Sequence, residues 1–156
     1  MSVPPYIEDP GSTRPRPKVD AGRLWTGGLA TAAVAALVAV VGVLIARGLF
    51  DIPLLAPTGE GTLGDASTAR LAVLAAAAAL VATGLMHLLL LSTPRPGQFF
   101  TWIVVLATLI AVILPFLTDA QLDTKLATAA INLAVGLTIA SLVSGVARSA
   151  VRIANA

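Results

Sequence analysis

Few residues in this 156-residue chain could carry chemistry. His87 is the one histidine, and an imidazole titrating near a pKa of about 6.5 suits proton transfer or ligand contact. It lies inside an apolar run, six residues before Thr93. At about 1.5 Å rise per residue it sits roughly 9 Å from the end of that run, close enough to reach headgroups and water. The structural alternative is a ring bonded to a neighbouring backbone group or hydroxyl. Asn132 is the second candidate. An amide in hydrocarbon is costly unless bonded, and a partner across a helix interface returns about 1 kcal/mol. Asn132 is thus read first as an interhelical hydrogen bond and second as a solute site. Pro115 could kink its helix or release a carbonyl. Asp119 and Asp123 stand four apart and share a helix face, but two carboxylates fall short of the roughly six oxygens calcium prefers. They read as solvated loop acids. No serine or threonine has a histidine and an acid placed to activate it. Residues Gly59 to Gly64 match no phosphate-loop pattern. With no cysteine there are no disulfides or thiolate metal sites. The expectation is a protein with no catalytic residues, no metal and no cofactor, hence not an enzyme.

The elements that would position these residues are far clearer. The chain is 57% hydrophobic and only 12% charged, about half the charge of a soluble domain. Mean hydropathy is +0.92. Four apolar runs are bounded by charge: Leu24 to Ala46, Leu71 to Thr93, Gly97 to Thr118 and Leu126 to Ala147. Each reaches about 33 Å as a helix, enough to cross a hydrocarbon core about 30 Å thick. Helix is required because lipid offers the backbone no hydrogen-bond partner. The fold class is therefore all-α, a membrane bundle of four transmembrane helices. The first run lacks the cleavage signature of a signal peptide and stays in the protein. The domain division is a basic proline-rich tail over 1–21, the four-helix domain over 22–150 and a short end over 151–156.

An even number of spans puts both ends on one side. That side holds Arg14, Arg16, Lys18, Arg23, Arg95, Arg148 and Arg152, against Arg47, Arg70 and Lys125 on the other. Cytoplasmic segments collect Lys and Arg, so both termini should face the cytoplasm, with the protein in the cell membrane. Trp25 and Trp102 fall at the same ends of their spans, where indole rings favour the headgroup layer. The net charge of +2 is too small for a nucleic-acid surface.

The tail holds half the prolines and should be disordered or extended. Its run Arg14-Pro15-Arg16-Pro17-Lys18 reads as a topology signal resting on anionic lipid, or as a proline-rich ligand for a cytoplasmic partner. Thr93 to Gly97 forms a tight turn that makes spans two and three antiparallel neighbours. Leu49 to Leu55, in the longest connection, fits an interfacial segment or a lip that touches a partner. Thr118 with Gln121 resembles a capping box, and Asp123 or Thr124 could cap span four. Helices in lipid associate through small residues. Asn132, Gly136, Ala140 and Ser144 form a four-residue stripe, and Gly28, Ala32 and Ala36 a second. These faces can bundle the chain itself or bind another subunit.

Two blocks run from Arg23-Leu24-Trp25-Thr26-Gly27-Gly28 to Arg47-Gly48-Leu49-Phe50-Asp51-Ile52-Pro53, and from His87-Leu88-Leu89 through Thr93-Pro94-Arg95-Pro96 to Phe99-Phe100. With Ile113-Leu114-Pro115-Phe116 and Asn132 they resemble an uncharacterised actinobacterial family of small four-helix membrane proteins, over about residues 22 to 150. The resemblance implies an integral membrane protein and assigns no activity. The expected function is a non-enzymatic accessory or scaffold subunit, acting through helix-face contacts within the bilayer with a membrane partner or with itself. The alternative is a small homo-oligomeric carrier or channel, its polar path lined by His87, Asn132, Thr83, Thr138 and Ser141. A weaker third reading is an envelope sensor whose long connection binds a ligand.

Overall fold

The computed structural model describes residues 18–48 and 66–152. The basic tail before Lys18, the connection over 49–65 and the end after Arg152 lie outside the described residues, and with them the readings made of those segments. Four helices follow in order: α1 (Ala21–Gly48), α2 (Ala66–Ser92), α3 (Pro96–Ile113) and α4 (Leu122–Ala150). A 3-10 turn over Leu114–Leu117 extends α3. Two-residue strands, β1 (Lys18–Val19) and β2 (Val151–Arg152), pair antiparallel and bring both ends of the domain together. The fold is an all-α four-helix bundle, and each helix is long and apolar enough to cross a membrane.

The distribution of side-chain sizes shows which solvent the bundle is built for. Buried positions are dominated by alanine, including Ala32, Ala35, Ala39, Ala75, Ala79 and Ala82, while Leu29, Leu37, Val73, Val81, Leu109 and Leu137 point outward. In water that arrangement would waste the larger apolar groups, each worth about 1.5–3 kcal/mol when buried. In hydrocarbon they gain nothing by turning inward, so close packing selects small residues for the interior. These four candidate spans mark a membrane protein.

Helix α1 packs along both α2 and α4, and α3 rests mainly on α4, meeting α2 far less extensively than α1 does. Gly28 of α1 lies so close to Thr83 of α2 that a Cβ there would overlap the threonine side chain. Gly136 of α4 does the same for Thr108 of α3. The main core runs from Leu24, Phe100 and Met86 through Val143 to Ala79 and Ala39, and a small second cluster of Val43, Ala46 and Ile131 closes part of the other end. Phe100 is the largest fully buried side chain.

The ends of the helices are set locally. Asp20 caps α1, its Oδ1 accepting the Arg23 N–H at 3.0 Å, an arrangement worth about 1 kcal/mol. Its own N–H donates to the Ala150 carbonyl at 3.2 Å, which ties the start of α1 to the end of α4. Pro96 opens α3 at a position where a missing N–H costs nothing. The capping box expected at Thr118 and Gln121 does not form. The Thr118 hydroxyl donates instead to the Pro115 carbonyl at 2.7 Å, and Gln121 precedes α4 without a side-chain cap. The Asp123 carboxylate accepts the Thr124 N–H at 2.8 Å, satisfying one first-turn donor of α4.

Gly28→Ala should therefore lower stability by about 1–2 kcal/mol, overpacking against Thr83 outweighing the better helix propensity of alanine. Gly84→Ala, where nothing lies within 4 Å of the new methyl group, should be neutral or stabilising. Thermal unfolding in detergent, followed by circular dichroism, checks the pair.

Candidate functional site

The polar residues singled out by sequence occupy different parts of the bundle. Asn132, in the first half of α4, donates from Nδ2 to the Ala111 carbonyl of α3 at 2.7 Å. The reason that carbonyl is available lies four residues on: Pro115 has no N–H to give it. The proline thus opens a polar gap in α3, and the amide of the neighbouring helix fills it. An unpaired carbonyl in hydrocarbon costs several kcal/mol, so the contact answers a need of the backbone.

His87 lies near the other end of the bundle. Its ring packs obliquely on Trp25 of α1, with centroids 6.5 Å apart and planes at 47°. Its buried Nδ1 has no hydrogen-bond partner among the described residues. His87 lies five residues from the end of α2 and Asn132 eighteen from the end of the parallel helix α4. At about 1.5 Å per residue they are roughly 20 Å apart along the bundle. The structure does not bring them into one site.

The hydroxyls grouped with them are committed to their own helices. Thr83 donates to the Ala79 carbonyl and Thr138 to that of Ala134, both at 2.8 Å, and Ser141 donates to the Thr138 carbonyl at 3.1 Å. Thr83 is also fully buried against Gly28, which leaves no space for a solute beside it. Asp119 is exposed, and no group of three or more potential metal ligands occurs among the described residues.

Of the small residues, Gly28 and Ala32 are buried and Ala36 half-buried on α1, and Gly136, Ala140 and Ser144 are half-buried on α4. Gly28 and Gly136 serve contacts within the chain. A feature that no single-helix pattern could show is a furrow of about 460 Å³ between α2 and α3, floored by α4. Ala75, Ala78 and Ala82 alternate with Leu74 and Val81 on one wall, Ala107 and Ala111 follow Ile103 on the other, and Gly136 lies at its base. Thr108 and Asn132 are its polar lining residues. The furrow exists because α3 leans on α4 and leaves α2 incompletely covered.

This four-helix domain coincides with a family. A family described as being of unknown function, DUF6069, matches residues 19–150. The chain belongs to it. For the DUF6069 family that match spans all four helices and includes His87, Pro115 and Asn132. No curated protein and no solved structure matches the chain.

The Asn132–Ala111 contact yields a sharp expectation. Asn132→Ala should cost about 1–2 kcal/mol by stranding the carbonyl. In a Pro115→Ala background, which supplies an N–H where the ring now stands, the same substitution should cost less than half as much. Unfolding in detergent of the two single variants and the double variant closes the cycle, and additive effects would contradict the pairing.

Proposed function

We propose that this protein is a non-enzymatic accessory or scaffold subunit of the cell membrane that holds a further transmembrane helix in the furrow between α2 and α3. The single observation that carries the reading is the furrow itself, whose walls carry Ala75, Ala78, Ala82, Ala107 and Ala111 between larger apolar residues. Small residues let a second backbone approach closely, which is how helices associate where the hydrophobic effect is absent. Its length fits too. The α2 wall from Leu71 to Leu85 covers roughly 21 Å at about 1.5 Å per residue, four turns of a docked helix. The occupant is a helix of a larger membrane complex or of a second copy of this chain.

The carrier reading draws no support from a joined polar path, because His87 and Asn132 stand apart and Thr83, Thr138 and Ser141 bond their own helices. In the proposed arrangement both chain ends face the cytoplasm. The excess of Lys and Arg at the end that holds β1, β2 and the α2–α3 turn supports this orientation.

A photo-crosslinking residue at Ala78 or Ala107, both outward-facing in the furrow, should give discrete protein adducts in native membranes. The same probe at Leu29, on the open face of α1, should give none. Adducts from Leu29 equal to those from the furrow, or no protein adduct from either furrow position, would contradict the proposal.

A further inference from the structure

A second cavity, of about 640 Å³, lies at the end of the bundle that carries both chain ends. It is formed where the last turns of α2 and α4 meet the first turns of α3. Its two halves differ in chemistry. Met86 and Leu90 of α2 and Val151 after α4 supply an apolar wall, while Arg148, Ser144 and Gln98 supply a cation, a hydroxyl and an amide. No carboxylate lines it. We propose that this cavity binds the headgroup of an anionic phospholipid, with the phosphate against Arg148 and the start of an acyl chain along Leu90.

Three observations support that occupant. The first is charge: the cavity presents a guanidinium and no acid, and Arg23 and Arg95 stand at the same end of the bundle. Basic pockets between membrane helices recognise acidic headgroups through such charge complementarity, and guanidinium matches phosphate in geometry as well as sign. The second is depth. Trp102 adjoins Thr101, a lining residue, and Trp25 is the fifth residue of α1, both rings exposed. Indoles mark the headgroup layer, so the polar half of the cavity lies where a lipid phosphate would be. The third is the apolar half, which a free phosphate would leave uncovered and a lipid would fill. The site is separate from the furrow between α2 and α3, and neither proposal requires the other.

The test is native mass spectrometry of the full chain in detergent, equilibrated with phosphatidylglycerol and phosphatidylcholine of matched chains. Phosphatidylglycerol should bind at least about tenfold more tightly, because both lipids offer a phosphate to Arg148 but the choline cation of phosphatidylcholine offsets that charge beside the guanidinium. Arg148→Gln should remove most of that preference and Arg148→Lys only part of it. Ser144→Trp, which fills the cavity while keeping the cation, should also abolish it, with circular dichroism confirming helix content for each variant. Equal binding of the two lipids would overturn the proposal. So would a loss with Arg23→Gln as large as with Arg148→Gln, because that would indicate a diffuse surface charge. Full displacement by equimolar glycerol 1-phosphate would assign the site to a soluble phosphate and equally contradict the lipid.

Discussion

Close contact between small side chains holds this bundle together, because hydrocarbon gives a leucine no reason to leave the surface. Everything else in the architecture answers to that constraint. Gly28 brings α1 onto α2 and Gly136 brings α4 onto α3. Alanines fill most of the space between, and most of the branched and aromatic residues are left outside to meet lipid. Helix α1 is seated along both α2 and α4, whereas α3 is attached chiefly to α4. That imbalance produces the furrow, on which the proposed scaffold role rests.

The same solvent makes each backbone polar group expensive to leave alone, and the pairing of Pro115 with Asn132 follows from it. A proline inside a span removes one donor, and in water the freed carbonyl would be hydrated at little cost. Here the nearest supply is an amide on the adjacent helix. The threonines and serines show the other side of the rule, donating to carbonyls three or four residues back within their own helices. Polar side chains in this bundle thus mostly complete backbone hydrogen bonding.

The number of helices and their approximate ends were legible in the sequence, because charged residues bracket each apolar run and lipid tolerates few alternatives to helix. The four-residue stripe through Gly136 was legible as well, since it depends only on helical periodicity. Its partner was not: that Gly136 meets Thr108 depends on how α3 crosses α4, which no single-helix pattern encodes. Asn132 was readable as an amide in need of an acceptor, and Pro115 as a source of a free carbonyl. Their meeting required the relative height of two helices. Asp20 is masked in the sequence by the run of prolines and cations it follows, although an acid just before an apolar run is a capping signal. Thr118 carries the pattern of a cap, but its hydroxyl has a nearer acceptor in the Pro115 carbonyl.

The most direct measurement of whether lipid is the solvent of this fold is single-cysteine labelling, for which a chain without native cysteine is ready made. A membrane-impermeant maleimide would be applied to sealed vesicles carrying a cysteine at Arg95, at Gln121 or at Leu37. Four spans require the first two to react from opposite faces and Leu37, at mid-helix, to react from neither. Reaction of Arg95 and Gln121 from the same face, or ready labelling of Leu37 in intact vesicles, would contradict the account.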